Sequence, residues 1–425
     1  MDPTGKIPPQ AWMKKPETQK VMAVLLNAGA EARFIGGCVR DSILKRDVHD
    51  IDIATTAPPE RVIQIMEASN IRVIPTGLSH GTVTAVIGTE HFEITTLRID
   101  VETDGRRAKV EFTTDWTRDA ARRDFTINAM SCDLDGNIYD PYDGLKDLSV
   151  GYIRFIGIAR ERIEEDLLRL LRFFRFLATY GKYPVSADAL YACAELAPRL
   201  GELSAERVRT ELFRTLIAPN PATTISKMIG EQVLQYVLPE ATNVGRLRVV
   251  AWLVSTGVKF DNLEIDPIRH LAAALDPDIS PQDVSTMADR LKLSNKDRKR
   301  ILAITAKNPQ ISSKIGLQSL RKACFVFGAD TVIDVALLSW GSDIAEHARL
   351  PQEQTATWIN IIKTAQNLPK VKFPLTGRDV MDLGITAGPE IGEYLRQVQN
   401  WWVKKDFNPT HEDCVKMLKK LTNQD

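Results

Sequence analysis

The chain changes its hydrophobic period once, near Gly157, and this change constrains the fold more than any other feature. Before it lie short strand-like runs at Ala32–Ile35, Asp50–Ala54, Thr82–Ile87, His91–Leu97 and Lys109–Phe112, separated by Gly, Pro and polar clusters. A helical stretch from roughly Thr18 to Ala28 precedes them, apolar at Val21, Met22, Val24, Leu25 and Leu26. Beyond Gly157 long helical stretches take over at Ile163–Tyr180, Ala187–Ala197, Ala205–Leu216 and Val249–Ser255, with more to the end. Side chains that alternate need a sheet, whereas those recurring every third or fourth residue need helices. The pattern predicts an α+β chain: a head with a small mixed β-sheet and helices, followed by an all-helical remainder. The expected boundaries are 1–150 for the head and 151–220, 221–350 and 351–425 for successive helical parts, with breaks near Pro219–Pro221 and Pro351. No fixed-period repeat is present.

Composition excludes several classes. With 425 residues, 44% hydrophobic and 26% charged, there is ample material for about two to four domains and no tract biased towards disorder. Lys+Arg and Asp+Glu are both 55, so any nucleic-acid binding depends on how basic residues cluster rather than on net charge. The 5 cysteines are scattered, without CxxC or Cys/His spacing for zinc. The N-terminus has no signal-peptide apolar stretch and no run is long enough to span a bilayer, so a soluble, cytoplasmic protein without a membrane partner is expected.

The densest chemistry lies in Phe34–Thr56. Gly36 and Gly37 follow a strand-like run and precede a helical Val39–Leu44, which allows backbone amides to approach an anion; a plain tight turn is the alternative. Arg40, one turn on, can pair with a phosphate. In His49-Asp50-Ile51-Asp52-Ile53 two aspartates alternate with isoleucines, against the usual depletion of Asp in strands. Both carboxylates then share one face, as hard oxygen ligands suited to Mg²⁺, while the isoleucines enter the core. An exposed edge strand is the structural alternative. Glu93 in HFEITTLR is either a third catalytic carboxylate or a solvent-facing residue opposite Phe92 and Ile94.

GGxVRD followed by DxD resembles the signature of DNA polymerase β-like nucleotidyltransferases, specifically the class II tRNA CCA-adding enzymes and bacterial poly(A) polymerases. The resemblance implies a nucleotidyltransferase head in which Gly36, Gly37 and Arg40 face the incoming triphosphate and Asp50 and Asp52 bind two Mg²⁺ ions. Arg122–Met130 reads locally as a charged, capped helix start; it resembles the family's second motif, which implies ribose and phosphate roles for Arg123, Asp124 and Asn128.

In the stretch from Glu165 to Phe176, Asp166, Arg169, Arg172 and Arg175 recur every third residue between buried Leu and Phe. A snorkelling basic stripe or an Asp–Arg ion pair is the plain reading. A carboxylate beside a guanidinium also offers an acceptor next to a donor, which matches the pairing edges of cytosine and adenine and leaves uracil and guanine with unpaired groups. The stretch resembles the family's EDxxR motif, implying that Asp166 and Arg169 read the base while Arg172 and Arg175 lie towards phosphates. Arg98–Arg118 reads as a polar surface loop; its Asp104-Gly105-Arg106-Arg107 resembles a loop tied to the switch from C to A addition, with Ala108 where Pro is usual. Ser204-Ala205-Glu206-Arg207 resembles a neck motif and reads as structural, with Ser204 an N-cap. The basic stretch Arg290–Lys307 reads equally as a phosphate site or a solvated face, and Leu375–Phe407 resembles the family's tail, with Trp401 and Trp402 expected in a core. The expected activity is addition of C, C and A to a tRNA 3′ end from CTP and ATP, by a monomer or homodimer. A poly(A) polymerase and a CC-only enzyme are the alternatives within the family, and a catalytically silent RNA-binding scaffold is the one outside it.

Overall fold

A computed structural model of the protein describes residues 1–422 apart from 105, 106, 183, 259, 348, 349 and 387. The chain divides into two compact units, Met1–Pro239 and Glu240–Asp425. The first holds all the described strands: β1 (Gly5–Lys6), β2 (Ala32–Ile35), β3 (Ile51–Thr55), β4 (Arg72–Gly77), β5 (Thr82–Ile87), β6 (Glu90–Thr96), β7 (Arg98–Asp104), β8 (Arg107–Phe112), β9 (Ser131–Cys132) and β10 (Asn137–Tyr139). Its helices are α1 (Pro16–Asn27), α2 (Gly37–Ile43), α3 (Pro59–Ala68), α4 (Trp116–Ala121), α5 (Gly144–Val150), α6 (Ala159–Glu165), α7 (Leu168–Tyr180), α8 (Ala187–Leu196), α9 (Ala205–Leu216) and α10 (Pro221–Gly230).

Eight strands form one mixed sheet in the order β1-β10-β9-β2-β3-β6-β5-β4, in which β3 and β6 run parallel and the other pairs are antiparallel. Alternation along β3 buries Ile51 and Ile53, and Ile53 sits in register between Phe34 and Ile94. One face of the sheet is covered by α1 and α3, whose Val21, Met22, Leu25, Val62 and Met66 are fully buried. Asp52 and Ala54 point to the other face. There Trp116 packs with Ile35, Ala54 and Leu97, which covers the Ala54 end and leaves Asp52 at the open end.

The second unit is helical throughout its described residues: α11 (Val244–Trp252), α12 (Pro267–Ala274), α13 (Pro281–Arg290), α14 (Asn295–Thr305), α15 (Leu317–Phe327), α16 (Ala329–His347), α17 (Gln352–Asn367), α18 (Gly377–Met381), α19 (Pro389–Lys404) and α20 (His411–Leu421). Its last helices enclose a separate core of Leu375, Val380, Val398, Trp402, Val403, Cys414 and Leu418. Trp402 fills that core as expected, whereas Trp401 is only partly covered. No described helix is long and apolar enough to cross a membrane.

Several local expectations are corrected. The stretch Ile163–Tyr180 is two helices, broken where Asp166 turns extended (φ −149°, ψ 106°) and its carboxylate accepts the Leu168 amide at 3.1 Å. A short acidic side chain that bonds nearby backbone competes with the helix. Arg122–Met130 is not a helix start: α4 ends at Ala121, Phe125 bridges Phe155, and a short 3₁₀ turn spans Thr126–Asn128. The carbonyls of Arg122 and Arg123 are taken instead by Arg162 at 2.5 and 2.8 Å. Most of Arg98–Arg118 is no loop, since β7 and β8 pair as a separate hairpin and α4 follows. Gly105 and Arg106 of the DGRR element lie outside the described residues. Ser204 sits at the N-cap of α9 but its hydroxyl makes no capping bond. The helix expected at Val249–Ser255 is α11, starting earlier at Val244 and loosening into a π-turn from Leu253.

Candidate active site

The turn after β2 is the hinge of the site. Gly36 adopts φ +69°, ψ −126°, a backbone state that L side chains rarely enter. A Cβ there would lie 3.7 Å from Arg123 Nη1 and 3.8 Å from Asp52 Oδ2. The glycine therefore keeps clear the space beside a carboxylate and a guanidinium. At Gly37 a Cβ would lie 3.6 Å from Arg40 Nη2. The two glycines thus connect the carboxylate strand to the first arginine.

Asp52 is half-buried on β3, with Glu93 as its partner in register on β6. Asp50 precedes the first residue of β3 and is exposed, as is Glu93. Burial, then the Glu93 charge, and further the Asp50 charge push Asp52 up to about 6, and Arg123 only partly offsets this. Three like charges answered by one guanidinium form a set that a divalent cation would relieve. Among the described residues no group of three or more His, Cys, Asp or Glu side chains is poised to hold a metal by itself. Asp50 and Asp52 would contribute two ligands, and oxygen donors from phosphate and water would complete the shell.

The second motif is tied to the first by a buried polar chain. Arg40 is buried, and its Nη1 donates to Asn128 Oδ1 at 2.6 Å while Nε and Nη2 donate to the Asp41 carboxylate at 3.1 and 2.8 Å. Asn128 Nδ2 donates to Asp124 Oδ1 at 2.9 Å, and Arg172 Nε donates to Asp124 Oδ2 at 2.7 Å. Burial alone would raise Asp124, yet Arg172, Asn128 and the Phe125 amide hold it below the usual carboxylate range. Tyr180 stacks on Arg40 at 4.4 Å and donates its hydroxyl to Asp41 at 3.0 Å. Asp124 and Asn128 therefore orient arginines from inside. Arg123, paired with Asp119 at 3.1 Å, is the member of the motif that faces Asp52.

The third motif is arranged differently from its expected pairing. Asp166 and Arg169 do not bind each other. Arg207 Nη2 donates to both Asp166 oxygens at 3.0 and 2.9 Å, while Arg169 Nη1 donates to Glu165 at 2.6 Å and to the Arg162 carbonyl at 3.1 Å. Arg175 reaches the buried Glu211 at 2.7 Å. Arg207 and Glu211, four residues apart on one face of α9, thus hold Asp166 at the break before α7 and Arg175 on α7. The sequence reading assigned this neck segment a purely structural part and missed both contacts, as well as the Arg162 anchor. The i, i+4 spacing of an Arg and a Glu was the available signal, but nothing in the sequence says which helix they face.

The three arginines of the basic stretch Arg290–Lys307 pair within the second unit. Arg290 binds Glu240, Arg298 binds Asp289, and Arg300 binds Asp266 and Asp334.

Carboxylates at the start of a central strand, a glycine turn beside them and a basic helix beyond fit a nucleotidyltransferase, and comparison with known proteins agrees. Residues 32–154 match the model of the poly A polymerase head domain, and 183–244 match that of a probable RNA and SrmB-binding site of polymerase A. The human mitochondrial CCA tRNA nucleotidyltransferase 1 is 34% identical over 92% of this chain and 87% of its own length. The CCA-adding enzyme of Lactococcus lactis subsp. lactis is 32% identical over 98% of this chain and 99% of its own. The crystal structure of the Bacillus stearothermophilus CCA-adding enzyme in complex with CTP superposes with a TM-score of 0.76 at 26% identity, covering 96% of this chain and 98% of that one. The Thermotoga maritima CCA-adding enzyme complexed with tRNA shares the fold, with a TM-score of 0.61 at 20% identity over 95% of this chain and 94% of that one.

The chain belongs to the class II CCA-adding enzyme and poly(A) polymerase family, and it is an enzyme, a nucleotidyltransferase.

Proposed function

We propose that this enzyme adds C, C and A in turn to the 3′ end of tRNA, using CTP and ATP and releasing pyrophosphate. The observation that carries the reading is a continuous track. Asp52 adjoins Gly36, Gly37 adjoins Arg40, and Arg40 shares a pocket with Arg175 on α7. Arg169 and Arg175 are six residues apart, a rise of about 9 Å along a helix. A nucleotide laid along α7 would place its base by Asp166 and Arg169, and its phosphates by Arg172, Arg175 and Arg40. Full-length relatives named for CCA addition support the acceptor and the nucleotides.

Asp50 and Asp52 would hold the metal, for which two Mg²⁺ ions are proposed, supplying Lewis-acid activation of the 3′-hydroxyl and charge neutralisation of the departing pyrophosphate. Glu93 adds negative charge beside Asp52. Arg123, next to the Gly36 turn, would lie against the α-phosphate. Asp166 and Arg169 would meet the N4 or N6 amino group and the adjacent ring nitrogen of C or A, each sharing or exchanging its present partner, Arg207 or Glu165. Uracil and guanine present the reversed edge and would leave these half-buried groups unpaired.

The 151–220 neck would then carry base recognition, 221–350 the body, and 351–425 an RNA-holding tail. An open groove in that tail is lined by Trp401, Lys405, Lys416 and Lys420, an aromatic face among cations suited to stacked, phosphate-bearing RNA. Incubating truncated tRNA with CTP alone, ATP alone and both, then sequencing the 3′ ends, tests the reading. CCA ends require both nucleotides. Runs of A from ATP alone would instead establish a poly(A) polymerase, and arrest at CC a CC-only enzyme.

A further inference from the structure

The track from Asp52 over the glycines ends in a cavity of about 210 Å³ lined by Arg40, Arg175, Phe176, Thr179, Tyr180, Arg214 and Ile217. Its three cations are not equivalent. Arg40 has committed donors to Asp41 and Asn128, and Arg175 is paired with Glu211. Arg214 is exposed at the end of α9 and makes no hydrogen bond or ion pair among the described residues. It nevertheless lies close enough to Arg175 that burial, and with it the Arg172 and Arg214 charges against the Glu211 charge, bring Arg175 down to about 10. A cluster of guanidiniums around a small cavity, with one left unpaired, is short of negative charge. A polyphosphate would supply it.

We propose that Arg214 is a phosphate-binding residue of this site, closing the cavity over the terminal phosphates of the incoming nucleotide. The inference rests on the proposed nucleotide track and adds a residue outside the motifs read from the sequence. Because CTP and ATP share the same tail, Arg214 acts on both alike and takes no part in choosing between them. Departing pyrophosphate leaves from the same cavity, so Arg214 also binds the product. The other source of the same chemistry is a backbone phosphate of the RNA acceptor.

The experiment compares binding of CTP, CDP and CMP, with Mg²⁺ present, to the wild-type chain, Arg214→Ala and Arg214→Lys, and measures binding of truncated tRNA alongside. Arg214→Ala is expected to weaken CTP about tenfold, as loss of one charge-assisted contact does, and to leave CMP unchanged. Arg214→Lys should recover part of the loss, and inhibition by pyrophosphate should weaken in Arg214→Ala by a similar factor. An equal loss for CTP and CMP would reduce Arg214 to a structural part. A loss confined to tRNA binding would assign the cavity to the RNA backbone, and either result overturns the proposal. If wild-type protein itself fails to prefer CTP over CMP, the nucleotide track is wrong. If it does prefer CTP and Arg214→Ala keeps that preference, only the role of Arg214 is lost.

Discussion

Both units of the molecule contain buried arginine–aspartate networks, and the contrast between them shows what separates a site from a strut. In the second unit Asp334, 1% exposed, binds Arg269 at 2.6 Å and Arg300 at 2.8 Å, and Arg300 also binds Asp266 at 2.7 Å. Charges there are matched and enclosed. In the first unit Asp124 is satisfied in the same manner, but around it the balance fails. Asp52 lies among like charges, Arg214 has no partner among the described residues, and a glycine turn holds open the space next to Asp52. An ion network becomes a candidate site where its charges are left unmatched beside a space a ligand can enter.

The sharpest way to break this comparison is to neutralise one charge in each unit. Asp52→Asn should slow nucleotide addition at least about ten-thousandfold, the kinetic equivalent of roughly 5 kcal/mol, without lowering the melting temperature, because it relieves repulsion. Primer-extension rates set beside thermal melts decide it, and a variant retaining wild-type turnover would remove Asp52 from the chemistry. Asp334→Ala should do the reverse. Leaving Arg269 buried without its partner costs about 3 to 5 kcal/mol of stability in urea, with turnover per folded molecule unchanged. If turnover fell with no loss of stability, the supposed strut would be part of the site.

Arg169→Ala tests selectivity within the open network. Its rejection of UTP relative to CTP should relax about tenfold to a hundredfold, measured as a ratio of kcat/KM, and an unchanged ratio would count against base reading by this residue.

The smallest effects concern pH, and the two units should differ in where they respond. Burial, only partly offset by the Asp266 carbonyl, lowers His270. The unfolded chain then takes up a proton below about pH 6.5 that the folded one resists, so this contribution is present at neutral pH and is lost as pH falls below that value. Asp124 is depressed in the fold. Its contribution is complete above an unfolded value of about 3.9 and is lost only as pH falls further, through its lowered folded value. Urea midpoints between pH 7 and 3 for the wild type, His270→Asn and Asp124→Asn would resolve the two windows. The loss near pH 6 should be smaller in the His270 variant, and the loss below pH 4 smaller in the Asp124 variant.

What was legible in the sequence was the periodic and the local. Strand alternation placed Ile51 and Ile53 inside and Asp52 on the opposite face, and the switch of period separated the sheet from the helices. Alternation and spacing picked out Asp50, Asp52, Asp166 and Arg169, and resemblance to a family motif added Arg123, before any contact was known. The register that sets Glu93 opposite Asp52 needs a parallel pairing across 40 residues of intervening chain, which no local pattern encodes. The break at Asp166 was hidden because the surrounding Leu and Phe keep a helical period while the carboxylate bonds the Leu168 amide.

The sequence alone thus pointed to candidate side chains and to the face each takes within a regular strand or helix, because rise and twist per residue are fixed by the backbone. Partnership was decided only by tertiary structure. Asp166 turned to Arg207 rather than Arg169, Arg175 to Glu211, and Arg214 to none of the described residues, because ion pairs depend on distances between elements far apart in the chain. Those distances are set by packing the helices on one another and on the sheet.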